Sequence, residues 1–159
     1  MPWYYTGEYM RKTTRRLFTV AFAAYILLML WLLFFWRLTF LDRGEIRLFL
    51  IPFTSTKEFI EVIRAHESIG AVWHSVKNLL GNIIMFVPLG IFLPVLFKGL
   101  RRYGYFFITV FTAIAAVEII QYLTRLGSCD VDDVIFNTVG ATIGFIVCRV
   151  IFAKKFKEG

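Results

Sequence analysis

Apolar residues along the chain gather into four long runs separated by shorter polar stretches. The first, 17–36, holds twenty residues with Thr19 as its only strongly polar member. Runs at 79–97, 105–124 and 134–152 follow, each nineteen or twenty residues long. At about 1.5 Å of rise per helical residue, such lengths cross a hydrocarbon core of about 30 Å. The pattern therefore predicts four transmembrane helices. The connections 98–104 and 125–133 are short enough to force antiparallel neighbours. The expected fold is all-α: a polytopic membrane protein with four helices in a small bundle. Arg11, Lys12, Arg15 and Arg16 give the first run the front end of a signal peptide. The run is too long for one and no small-x-small cleavage site follows, so it is expected to remain as a span.

The long connection 37–78 has its own pattern. Leu48-Phe49-Leu50-Ile51-Pro52-Phe53 is too short to span and contains a proline, which predicts an interfacial or re-entrant piece. Ser55-Thr56-Lys57-Glu58 has the form of a capping box. Phe59, Val62, Ile63 and His66 then recur at helical spacing, so the outer region 44–77 should contain an amphipathic helix. Gly140 and Gly144 form a small-xxx-small pair suited to a close helix crossing. Pro88 and Gly90 predict a kink in the second span.

Composition sharpens the class. Of 159 residues, 58% are hydrophobic and only 18% charged, too apolar for a single water-soluble core. Disorder, a secreted disulfide scaffold and a cytosolic enzyme are excluded. Cys129 and Cys148, the two cysteines, lie at opposite ends of one apolar run and cannot pair within the chain. The net charge of +7 comes from basic residues flanking apolar runs, which points to phospholipid headgroups and away from nucleic acid. Lys and Arg also set the orientation. They crowd the segment 1–16, the connection 98–104 and the tail 153–159, whereas the third connection has Arg125 beside Asp130, Asp132 and Asp133. Both termini are thus expected to be cytoplasmic, flanking a membrane domain over 17–152. The acidic loop 125–133 and the connection 37–78 are expected to face outward, in a plasma membrane.

The informative residues are polar ones within the spans. A carboxylate at a helix centre costs on the order of 2.5–3.5 kcal/mol on insertion scales, and Glu118 is the acidic residue that falls inside a span. Asn82, Gln121 and Asn137 each lie fourth from the outer end of a span, and hence near one depth, with Glu118 one turn below Gln121. His74, Asn78 and Asn82 form a stripe at spacing four. Together these positions predict an outward-opening polar pocket, floored by Glu118 and rimmed by Asp130, Asp132 and Asp133. Asn and Gln in membrane helices also serve as interhelical glue, worth about 0.6 kcal/mol on average.

Three functions compete. The pocket could bind a lipid or a lipid-linked envelope precursor. It could belong to an enzyme acting on an envelope lipid, in which Asp130, Asp132 and Asp133 would hold Mg²⁺ or Ca²⁺ and Glu118 and Asp133 would be catalytic. Or the polar groups could simply hold the bundle together. The chain carries no P-loop, no G-x-S-x-G and no histidine pair at zinc spacing.

Several segments resemble the VanZ-like family of membrane proteins. The stretch Asn78-Leu79-Leu80-Gly81-Asn82-Ile83-Ile84-Met85-Phe86-Val87-Pro88-Leu89-Gly90, followed by Leu93-Pro94, is similar to the family's second-span motif. Glu118-Ile119-Ile120-Gln121 resembles its E-x-x-Q, and Leu50-Ile51-Pro52-Phe53 its short L-I-P-F element. Asp130-Val131-Asp132-Asp133-Val134-Ile135-Phe136-Asn137-Thr138-Val139-Gly140, with Gly144, resembles its D-x-x-D-x-x-x-N-T-x-G-x-x-x-G signature. Many members carry an arginine directly after the glycine of the outer loop. Here Ser128 follows Gly127, and Arg125 is the nearest arginine, the candidate for an anionic headgroup. The resemblance implies a bacterial cell-envelope protein associated with tolerance of glycopeptide antibiotics, especially teicoplanin, with the antibiotic an indirect partner. The polar pocket, its stripe and its loop give Asn78, Asn82, Glu118, Gln121, Arg125, Asp130, Asp133 and Asn137 as the expected ligand set.

Overall fold

A computed structural model describes residues 12–36, 48–64, 69–126 and 129–155. Helix α1 (Lys12–Leu30) runs into a π-helical segment (Trp31–Trp36). A two-residue strand β1 (Leu48–Phe49) precedes α2 (Thr54–Arg64) and the long α3 (Ile69–Leu96). A 3₁₀ turn (Lys98–Arg101) leads to α4 (Tyr103–Leu123), and β2 (Cys129–Asp130) opens α5 (Val131–Lys155). Four stretches are long and apolar enough to cross a membrane: Lys12–Phe35, Leu79–Leu96, Tyr103–Leu123 and Val131–Ile151. The all-α membrane fold read from the apolar runs is the one observed.

The structure departs from the hydrophobic pattern at the ends. Helix α3 begins ten residues before its apolar run, so its first ten residues rise about 15 Å beyond the span. Helix α5 begins at Val131, inside the acidic loop, because Asp130 supplies the missing cap: its Oδ1 accepts from the Asp132 backbone N–H at 2.8 Å. The segment expected to be interfacial or re-entrant forms a strand and a turn. β1 pairs in parallel with β2, with Leu48 opposite Cys129 and Phe49 opposite Asp130. Leu48, Leu50 and Ile51 are exposed, Ile51 to 72%, which suits an interfacial position. Helix α2 starts at Thr54, one residue before the serine of the expected capping box. The Ser55 and Glu58 side chains, and His66 altogether, lie outside the described residues.

Helices α3 and α5 form the centre, and glycine makes their contact possible. A Cβ on Gly140 would fall on the Ile83 carbonyl, and one on Gly144 on the Val87 carbonyl and 3.0 Å from the Gly90 Cα. A Cβ on Gly90 would meet the Ala141 carbonyl and lie 2.7 Å from the Phe145 nitrogen. The small-xxx-small pair thus finds its partner in α3. Gly90, expected to serve a kink, serves this close approach. In a bilayer the tails are as apolar as the helix surfaces, so backbone contact of this kind carries association.

The other two spans flank this pair. On α4, Phe106, Val110, Ile114, Glu118 and Gln121 form one buried stripe at helical spacing. Phe106 meets Phe145 of α5 at 4.6 Å between ring centroids, which sets the two antiparallel helices in register. Helix α1 turns Tyr25, Met29 and Leu33 inward. Phe22 and Tyr25 pack on Phe92 of α3 at 5.6 and 5.8 Å.

Candidate functional site

The polar residues of the spans gather at the end of the bundle that carries the acidic loop. Glu118, Gln121, Asp132 and Asn137 are each 4% exposed or less, and Thr138 is also buried. Each reaches this place by a different local cause. Asp132 lies in the first turn of α5 and crosses to the N-terminus of α2. Its Oδ1 accepts from the Phe53 N–H at 2.5 Å, and its Oδ2 from the Thr56 N–H at 3.1 Å and the Thr56 hydroxyl at 3.2 Å. Phe53 has φ of 66°, a left-handed conformation that turns the chain into the helix. The carboxylate satisfies donors that the helix itself leaves open and complements two helix N-termini together.

The neighbouring aspartates are committed elsewhere. Asp133 Oδ1 accepts from Asn82 Nδ2 at 2.5 Å, joining α5 to α3. Asp130 caps its own helix. The expected divalent-cation set of Asp130, Asp132 and Asp133 is therefore not assembled: among the described residues, no group of three or more His, Cys, Asp or Glu is placed to hold a metal. One carboxylate turns to α2, one to α3 and one to its own backbone.

Gln121 Nε2 donates to the Leu33 carbonyl at 2.8 Å. This bond fixes the π-helical end of the first span to α4 and accounts for a polar side chain at 1% exposure. Arg125 is exposed and has φ of 58°. It is the left-handed residue that ends α4: its N–H donates to Tyr122 O at 3.1 Å, and the Leu126 N–H to Gln121 O at 2.8 Å. That is a Schellman ending, at a position glycine usually fills. Asn78 and His74 lie in α3, with side chains outside the described residues; Gly127 and Ser128 also lie outside them.

Two buried polar groups remain at the heart of the cluster. Glu118 lies on the buried stripe of α4, three residues before Gln121, and Asn137 on the buried face of α5. The Phe106–Phe145 register corrects the expected depths: it places Glu118 opposite Asp133 and Asn137 opposite Ile114, so Gln121 and Glu118 lie nearer the acidic loop and Asn137 about one turn deeper. Thr138 satisfies its hydroxyl on the Val134 carbonyl at 2.7 Å. Asn137 Oδ1 is buried and has no hydrogen-bond partner among the described residues. Glu118 also acts on the loop above: burial, and then the Glu118 and Asp130 carboxylates, push the Cys129 thiol pKa up.

Sequence reasoning missed three contributors. Thr56 and Phe53 supply donors from 76 and 79 residues away. The Tyr25 hydroxyl donates to the Met85 carbonyl at 2.8 Å, three residues before Pro88. The tyrosine lies within an apolar run, where its ring hides its polar tip.

Residues 22–152 match the VanZ/LLP1 family. The chain is 32% identical over 126 residues to Protein VanZ of Enterococcus faecium, an alignment covering 77% of this chain and 67% of that protein. No solved structure matches it. The matched region runs from the middle of α1 to the end of the fourth span and contains every buried polar residue described above. With four membrane-crossing helices and this match over most of its length, the chain is an integral membrane protein belonging to the VanZ/LLP1 family.

Proposed function

We propose that the protein acts in the bacterial plasma membrane, binding a lipid or lipid-linked envelope component at the acidic end of its bundle and thereby contributing to tolerance of glycopeptide antibiotics, teicoplanin above all. The observation that carries this reading is the burial of Glu118 and Asn137, at 4% and 3% exposure. An acidic side chain and an amide are held in the packed interior of membrane helices, where each costs free energy. The family relationship supports the antibiotic phenotype. Lys12, Arg15, Arg16, Lys98, Arg101 and Arg102 all lie at the opposite end of the spans, which supports cytoplasmic termini and an outward acidic end. The exposed Leu50, Ile51 and Phe53 beside that end suit the outer headgroup layer.

Within this reading the polar residues divide. Gln121 and Asp132 have bonds that explain their burial, and half-buried Asp133 is bonded to Asn82, which favours the structural role for these three. Glu118 and Asn137 form the floor on which a ligand's polar part rests.

The test is a pair of inhibitory concentrations, for teicoplanin and vancomycin, in a susceptible Gram-positive host. Wild type should raise the teicoplanin value selectively, and Glu118→Gln and Asn137→Leu should return it to the host baseline at equal membrane levels. Full tolerance in both variants would overturn the reading.

A further inference from the structure

Helix α1 is attached differently from the other spans. Only 6% of its most apolar stretch is buried, against 39% for α5. Its acidic end is a π-helical turn, a form that recurs at functional sites and helix irregularities. That turn is bonded to α4 through Gln121 and the Leu33 carbonyl. Outward from this bond, Trp31 and Phe35 on one side and Ile120 and Leu123 on the other are exposed where a bilayer would lie. Inward from it, Met29 packs in the same cluster as Ile114, Val134 and Ala141. Those residues lie one turn from Glu118 or Asn137 on their own helices. Met29 thus belongs to the apolar layer beside both buried polar groups, and an unbranched methionine side chain repacks with little strain.

Asn137 sets the chemistry. A buried amide oxygen left without a donor costs about 1–3 kcal/mol, yet it sits under the most weakly held of the four helices. We infer that the seam between the π-helical end of α1 and the end of α4 is a lateral entrance from the bilayer. It leads to a site for an amphiphile whose headgroup donates hydrogen bonds, through hydroxyl or ammonium groups, to Asn137 Oδ1. The acyl chains stay in the seam, Met29 moves aside, and the Gln121–Leu33 bond closes the entrance in the empty protein. This deepens the proposed function and rests on it for the location of the site; it adds the route and the ligand class.

The experiment uses the full chain purified in detergent, with phosphatidylethanolamine, phosphatidylglycerol or phosphatidylcholine of identical acyl chains added, and counts bound lipid by native mass spectrometry. Ethanolamine and glycerol headgroups donate hydrogen bonds; choline has no N–H or O–H. Wild type should retain each of the first two about fivefold over phosphatidylcholine, the value of one net hydrogen bond. Asn137→Leu removes the orphaned oxygen at nearly constant volume, so it should fold at least as stably and lose the preference. Gln121→Leu should speed hydrogen exchange at residues 31–36 and the exchange of bound lipid. Equal retention of all three lipids by wild type, a preference that survives Asn137→Leu, or unchanged exchange in Gln121→Leu would overturn the inference. Teicoplanin tolerance without a headgroup preference would sink the entrance and leave the proposed function standing. A preference without tolerance would do the reverse.

Discussion

The α3–α5 pair and helix α1 both cross the membrane, and they are held by opposite means. The central pair meets backbone to backbone at Gly90, Gly140 and Gly144, with no space for a methyl group. Helix α1 leans on α3 through aromatic rings, and side-chain hydrogen bonds from Tyr25 to Met85 and from Gln121 to Leu33 join it to its neighbours. Dispersion contacts of the first kind are many and have no second arrangement. Contacts of the second kind are few, and each is worth about 0.6 kcal/mol on average in a membrane. The central pair therefore fixes the fold, and the first span can move without unfolding it.

That contrast can be broken most directly at its strong side. Gly140→Leu must push α5 away from Ile83, and should cost about 3 kcal/mol or prevent folding, read as loss of the thermal transition in detergent. Asp132→Ala strips three donors at the start of α2 of their acceptor. It should lower stability by about 2 kcal/mol, with hydrogen exchange rising at residues 53–56 while the spans stay protected. Arg125→Gly relieves a left-handed arginine and should raise stability by about 0.5–1 kcal/mol. If the arginine also serves an anionic headgroup, tolerance will fall in that more stable protein. On the weak side, Tyr25→Phe should cost only about 0.6 kcal/mol and leave the α3–α5 contact intact. A loss of several kcal/mol there would erase the proposed difference between the two regions.

The smallest effect concerns the loop thiol. Burial and the Glu118 and Asp130 carboxylates disfavour the Cys129 thiolate, so its alkylation should need a higher pH than a free cysteine requires. In a Cys148→Ala background, Glu118→Gln removes a negative charge near the thiol, lowers its pKa and should raise the alkylation rate at pH 8, by about twofold for a partly screened charge. An unchanged rate would show that the Glu118 charge does not reach the loop.

Much of this was legible from the chain. Apolar runs of nineteen or twenty residues set the four spans, because length and hydropathy alone decide what can cross a bilayer. The Gly140–Gly144 spacing announced a close crossing, and the cost of a charge in hydrocarbon singled out Glu118. The partners were not legible. Asp132 reads as one of three loop carboxylates in sequence, and becomes the cap of α2 because β1 and β2 bring residues 48–49 beside 129–130. Gln121 and Asn137 look alike as amides near span ends, yet one finds the Leu33 carbonyl and the oxygen of the other finds no donor among the described residues.

By itself, then, the sequence determined which segments lie in the membrane, which of their polar residues are costly, and the family they belong to. These follow from local composition and spacing. Only the tertiary structure decided which of those polar residues are satisfied. A hydrogen bond depends on groups that meet from segments as far as 88 residues apart, and no periodicity along one helix records where its neighbour's donors will fall.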